Sequence, residues 1–404
     1  AAQHQVNLRA LFGGLWRDRE FRTFWSAQTV SEFGDRISEL ALPLIAVTML
    51  NATPTEVGFL TAAVWLPNLL SLLIGTWVDG QRNKKALMIA ADLSRTVVLL
   101  VLPVVFWLGW LSLWHLFAIA ILKGAAHVVF NTAYAAFFVR LVTPDNFLEA
   151  NSKLSATRSF SFMAGPAVGG LLIQWLTAPF AMVVNALTFV WSALQLSRLE
   201  TTSAEVPPTA EPLLLRVRAG MMYVLRHPYI RSSLACTSTV NFFTFMGNAL
   251  LILFASRYLG LDAGTIGLAL GIGAVGGLAG AAVARPLAER VGAGRLIAVS
   301  TVVFPLAVGV IAFADGPIWM RVGVLILAEL ISSFSVMTYD IPLMSLQAKV
   351  IHDRMRSRVT GAFTTVNFGV RPLGAVLGGY LGSWIGPREP WSLRQSAGRC
   401  PCCG

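Results

Sequence analysis

The chain has 404 residues, 55% of them hydrophobic and only 13% charged. A soluble domain carries about a quarter charged residues, so a soluble enzyme or binding module is excluded and a polytopic membrane protein is implied. The net charge of +11 would suit nucleic acid if it lay on one surface, but its placement along the chain excludes that partner.

Apolar runs between Gly, Pro and charged breaks predict spans near 22–50, 57–78, 86–108, 113–137, 155–177 and 180–198. After a polar stretch come 233–255, 264–284, 296–314, 318–340 and 360–384, eleven in all. With the amino terminus inside, the inner segments hold 22 of the 31 Lys and Arg, and the outer loops hold only Arg257 and Arg321. The positive-inside rule therefore predicts a multi-pass protein of the cell membrane with a cytoplasmic amino terminus. The residues before the first span, with Arg9, Arg17 and Arg19, read as a cytoplasmic lead-in, because the run that follows is too long for a signal peptide.

The first span carries Glu32, Asp35, Arg36 and Glu39. Glu32, Arg36 and Glu39 stand at i, i+4 and i+7 with Asp35 one place aside, so all four are expected on one broad face. Each charge at mid-bilayer costs at least ~2.5–3.5 kcal/mol, so they must face one another, a partner or water. A self-neutralising fastening is the bland reading, and three acids against one base leave more negative charge than a fastening needs. Asp35 follows Gly34, whose missing side chain is expected to leave room for water or substrate. Arg36 projects about 100° away and is expected to pair with Glu32 or Glu39, leaving Asp35 free to exchange a proton.

The polar stretch 200–211, with Pro207 and Pro208, divides the spans after the sixth. The expected organisation is a six-helix bundle over 1–199, a cytoplasmic linker over 200–231, a second bundle over 232–386 and an atypical tail over 387–404. Landmarks recur across the linker: Asp79 and Lys85 with Glu289 and Arg295, Asp145 with Asp353, and Pro166 and Gly169–Gly170 with Pro372 and Gly378–Gly379. Their offsets run from 206 to 210. Two homologous halves are the usual way to build a rocking transporter.

Several chemistries are absent. No Walker loop is present, so ATP is not the energy source. The glycines at 271, 273 and 276 mimic a dinucleotide fingerprint but lie inside a span without a preceding strand. Cys236 stands alone, and Cys400, Cys402 and Cys403 lack the spaced pairs of a thiolate site. Neither enzyme activity, cofactor nor metal is expected.

Gly75–Thr–Trp–Val–Asp79–Gly–Gln–Arg82–Asn–Lys84–Lys85 resembles the loop 2–3 signature of the major facilitator superfamily, with Gly80 and Arg82 in place of its usual Arg and Gly. Gly165–Pro166–Ala–Val–Gly169–Gly170 resembles the motif of the drug:proton antiporter branches. Val139–Arg140–Leu–Val–Thr–Pro144–Asp145, Tyr223–Val–Leu–Arg226–His227–Pro228 and Arg371–Pro372–Leu–Gly374 are similar to the macrolide-efflux and siderophore-exporter branch. The resemblance reaches about Gly386. It implies an all-α fold of two six-helix bundles and proton-coupled export of a small amphiphile, such as a macrolide antibiotic, from a bacterial cell. It also implies a twelfth helix, yet the chain runs from Pro387 into a polar tail, so that helix reads as missing or altered.

In that architecture spans 1, 4, 7 and 10 line the central cavity. Proton coupling is then expected on Asp35, supported by Glu32, Glu39 and Glu329. The substrate cavity is expected to include Arg36, Lys123, His127, Asn241, Thr244, Asn248 and Arg371. Lys123 reads equally well as a neutraliser of an acid in span 1, His127 as a packing residue, and Asn241 and Asn248 as bridges between helices. Phe24, Trp25, Phe33, Trp65 and Phe245 add aromatic surface where they turn inward. Gating falls to Gly75, Asp79, Arg82, Lys84 and Lys85, with Asp92 and Arg95 as a pair in the same network. Gly165, Pro166, Gly169 and Gly170 are expected at a seam between spans 5 and 8, the small residues of span 8 answering them. The partners expected are a small-molecule substrate, protons and the lipid bilayer, around a monomer. An exporter dedicated to one siderophore or natural product, and a non-transporting sensor or scaffold on the same fold, are the alternatives.

Overall fold

The computed structural model describes residues 14–200, 213–350 and 353–385, and all the regular elements among them are helices. Helix α1 (Arg19–Leu44) starts where the Asp18 carboxylate accepts the amides of Glu20 and Phe21, and ends in a π-helical turn, Ile45–Met49. The second span is two helices, α2 (Pro54–Trp65) and α3 (Ser71–Asp79), joined by a 3-10 turn over Leu66–Leu70. Pro67 in that turn lacks an amide donor, which breaks the run that apolarity alone joins. There follow α4 (Lys84–Trp107), α5 (Leu113–Leu141), α6 (Phe147–Leu176) and α7 (Ala178–Ser197).

Beyond the linker, α8 (Leu213–Arg226) is a short helix packed on α9 (Pro228–Arg257) and α13 (Asp353–Ile385). Between these come α10 (Ala263–Val291), α11 (Ala293–Val310) and α12 (Ile318–Val350). Part of the expected linker is therefore helical, and the rest, 201–212, lies outside the described residues. So does 386–404, where the expectation of a missing twelfth helix falls.

Among the described residues, eight helices are long and apolar enough to cross a membrane: α4 to α7 and α9 to α12. The remaining expected spans deviate for physical reasons. Helix α1 carries four charges within eight residues, α2 and α3 are each too short alone, and α13 carries Arg354, Arg356 and Arg358 on its first turns. Helix α12 runs on to Val350, ten residues past its expected end.

In the amino-terminal half, α1 packs on α6 and α7, and α4 on α5 and α7; in the other, α12 packs on α10 and α11, and α9 on α13. Two buried apolar clusters join the halves, a large one with Val47, Ala52, Leu259, Leu261 and Ile311 among its members and a small one of Ala62, Ala249 and Ala375. Another is built wholly from the amino-terminal half and one more wholly from the other. The halves thus share a core at the end that carries the connections near 52 and 260. They keep separate cores at the end that carries the basic segments, and the region between those cores is termed the wedge.

Two seams hold the wedge, α6 against α10 and α2 against α13. A Cβ at Gly170 would stand 2.9 Å from the Cα of Gly267, and one at Gly58 would stand 2.8 Å from the Cα of Gly379. Each crossing is backbone on backbone, which only glycine allows. The two crossings are equivalent: Gly58 and Gly267, like Gly170 and Gly379, are 209 residues apart. The expected approach of spans 5 and 8 is present, and it has a twin.

Candidate substrate and coupling cavity

The charges of α1 divide between two sides of the helix instead of sharing one. Glu32, Arg36 and Glu39 face α6. Arg36 Nη1 lies 2.6 Å from Glu39 Oε2 and Nη2 lies 3.8 Å from Glu32 Oε2, while Arg158 of α6 reaches Glu32 Oε1 at 3.4 Å. The stem of Arg36 crosses α6 at Gly165, where a Cβ would sit 2.6 Å from Arg36 Cβ. Gly169 passes Ile37 in the same way, and Gly170 meets α10 with Pro166 one turn before it. The glycines of that motif therefore seat α6 on α1 and on α10 together.

Asp35 faces α4 and α5. Lys123 Nζ stands 2.8 Å from its Oδ1, with Arg95 Nη1 at 3.6 Å and His127 Nδ1 at 3.8 Å from Oδ2. Arg95 is 1% exposed, lies between the rings of Phe130 and Phe189, and pairs with the fully buried Asp92. The expectation of a free Asp35 is overturned. Arg36 does turn to Glu32 and Glu39, but two other helices supply three more basic groups. Asp92 and Arg95 accordingly belong to this cluster. Gly34 leaves no room for substrate, because its missing Cβ admits Asn185 and Thr188 of α7. The cluster is accessible at His127, 44% exposed, whose Nε2 lies 2.7 Å from Asn131 Nδ2.

On the other side of the wedge, Arg371 of α13 donates from Nε to Asn241 Oδ1 of α9 at 3.2 Å. Its guanidinium carbon lies 4.4 Å from the ring centre of Trp65, 4.6 Å from Phe368 and 4.9 Å from Phe245. Trp65 belongs to α2, so this contact crosses between the halves. Trp65 and Phe245 are thus the expected aromatics that turn inward. Phe24 instead stacks on Tyr134 within the amino-terminal core, the Trp25 indole donates to Thr157, and Phe33 packs on Phe160.

A family model described as transmembrane secretion effector matches residues 14–397. The chain belongs to that family of major facilitator transporters. It is similar to the multidrug efflux pump Tap of Mycobacterium tuberculosis, at 27% identity over 88% of this chain and 85% of that one. It is also similar to the enterobactin exporter EntS of Salmonella typhi, at 24% identity over 91% and 86%. Among solved structures it matches the nucleoside transporter NupG, with a TM-score of 0.72 and 11% identity over 91% of each chain.

The transporter's other candidate residues are placed as follows. Thr244 donates to the carbonyl of Val240, and Asn248 is exposed. Glu329 of α12 packs its Cβ on Gly273 of α10 and makes no hydrogen bond or ion pair with another described residue. Asp340, on the same helix, is half-buried and likewise unpartnered among the described residues. Sequence reasoning misses it because the apolar run stops at 340 while the helix continues through Pro342.

The loop after α3 binds its own half. Lys84 donates to the carbonyl of Val78, and Lys85 donates to Ser197 at 3.0 Å and Leu199 at 2.6 Å, so the two lysines finish α3 and α7. Arg82 is exposed, Gly75 faces Thr132, and the side chain of Asp79 lies outside the described residues.

Proposed function

We propose that this transporter exports a small amphiphilic compound across the cell membrane by alternating access, drawing on protons. The observation that carries the reading is the wedge. The halves share a core at the end away from the basic segments and keep separate cores at the end that holds them. With the basic side cytoplasmic, this is a cavity open to the cytoplasm, the state that loads an exporter. Tap and EntS are both named for outward transport, which supports the same direction.

Asp35 is the coupling acid in this reading, for a reason other than freedom. Its three basic partners all sit on other helices, whereas two of the three contacts between Glu32, Arg36, Glu39 and Arg158 lie within α1. A shift of α1 against α5 changes the field at Asp35, and a proton there sets the Lys123 ammonium free. Broad drug efflux and export of one dedicated natural product share this mechanism.

Proteoliposomes with an imposed proton gradient test it. Wild type should accumulate a labelled macrolide against its gradient, and a protonophore should abolish this. Asp35→Asn should bind the macrolide and fail to concentrate it. Concentration by the Asn variant at the wild-type rate would move coupling elsewhere, and movement indifferent to the protonophore would end the proton reading.

A further inference from the structure

Arg36 and Arg95 in α1 and α4, and Lys123 in α5, each stand within 4 Å of a carboxylate. Arg371 differs. Among the described residues it forms no ion pair, and Asn241 engages only its Nε. Trp65, Phe245 and Phe368 lie against the guanidinium, all within 5 Å. Rings attract a cation through their faces but do not neutralise it. With rings packed around the guanidinium carbon and Nε engaged by an amide, what remains without a hydrogen-bond partner among the described residues is the edge formed by the two Nη groups. That edge is a planar fork that matches two oxygens of one oxyanion.

The residue borders open space. A cavity of about 280 Å³ is lined by Arg371, Phe368, Asn367 and Thr364 of α13 with Gln347 and Met344 of α12. These α13 positions descend one face of the helix toward its basic start. The volume falls just short of the ~300–1,000 Å³ of drug-sized sites. It suits an anionic head with a ring, the rest of the ligand lying in the wedge. Partly dehydrated and without a counter-ion, the guanidinium is left for a ligand to complete.

We infer that Arg371, with its aromatic cage, is the recognition point for an anionic amphiphile, a substrate bearing a carboxylate or similar planar oxyanion beside an aromatic body. The inference rests on the export reading for the direction of loading, and it adds a class carrying negative charge to the amphiphiles that reading admits. A lipid headgroup offers the same chemistry, so the test separates the two sources.

Binding of 2-naphthoate and its uncharged amide 2-naphthamide to the full chain in phosphatidylcholine nanodiscs, without a gradient, is decisive. Wild type should prefer the anion by about tenfold or more. Arg371→Gln should erase the preference and keep naphthamide affinity, and Arg371→Lys should keep part of it. Asn241→Asp leaves the arginine in place and gives it an internal counter-ion, so it too should erase the preference even if the Gln variant fails to fold. No preference in wild type, whether from equal affinity or from no binding, overturns the inference. So does a preference that survives Asn241→Asp. Displacement of naphthoate when phosphatidylglycerol replaces phosphatidylcholine would give the site to a lipid and overturn the substrate assignment. Because no gradient is used, loss of efflux with anion preference intact counts against the export reading alone.

Discussion

In the amino-terminal half Glu32, Asp35 and Asp92 each stand within ion-pair distance of a cation, two of them through partners on neighbouring helices. In the carboxy-terminal half Glu329, Asp340 and Arg371 form no ion pair among the described residues. The same scaffold thus holds buried charge in two ways. Paired charges tie α1, α4 and α5 together, and breaking a pair strands a charge in a dry place. Unpaired charges have no counter-ion to strand, and what they lack must come from water, a proton or a ligand. One half is built to keep its charges and the other to have them answered.

The sharpest break of that comparison is Arg95→Leu, which leaves Asp92 fully buried without its partner. It should destabilise by ~3–5 kcal/mol, read as thermal unfolding in detergent, and the double variant Asp92→Leu/Arg95→Leu should recover much of the loss. Arg371→Leu strands no counter-ion and should cost less, the ~0.5–1.5 kcal/mol of its hydrogen bond to Asn241. Equal losses in the two halves would erase the distinction.

Glu329→Gln should be tolerated as a fold, because no partner is stranded. Its effect on transport places the proton: if Glu329→Gln stops uphill export and Asp35→Asn does not, coupling belongs to the unpaired half.

The seams should show the halves alike where the charges show them different. Gly58→Ala and Gly267→Ala each force a methyl into an opposing backbone, and each should cost ~1–3 kcal/mol. The two losses should agree within about 0.5 kcal/mol. A harmless alanine at one glycine and a damaging one at its twin would deny their equivalence.

The smallest effect lies at the helix starts. Asp262 caps α10, its carboxylate accepting from the amide and hydroxyl of Thr265, and Thr53 caps α2 with Glu56 answering it. Asp262→Ala should cost ~0.5–2 kcal/mol at neutral pH. The Thr265 amide holds the Asp262 carboxyl below its usual range. This stabilisation is therefore complete above the ordinary carboxylate pKa and lost as pH falls through the lower folded value. The penalty of Asp262→Ala should shrink below pH ~4, and a penalty that is constant with pH would remove the charged cap.

Much of this is legible in the residues, and what is not has physical causes. Apolar runs and charge placement locate most helices because a bilayer demands both. The acid cluster on α1 is visible for the same reason, but its partners are not. Which cation meets Asp35 depends on which helices lie behind it, and Arg95 carries no mark in the sequence that assigns it there. The repeat is visible only as landmarks at scattered offsets. Its true register of 209 relates Thr53 to Asp262 and Pro54 to Ala263 as well as the seam glycines. At the caps different residues do one job, so chemistry is shared between halves where letters are not. Arg371 can be named as a cavity residue, whereas the rings around it come from three separate helices.

The paired glycine crossings bear on speed. A joint of interlocked side chains must change rotamers before it parts, and each change adds to the barrier. Here the closest surfaces are bare backbone at both crossings, so they part without a latch to undo. In the proposed alternating access these two matched crossings act as smooth bearings, and the pace of turnover is set by the shared apolar core and by what fills the wedge.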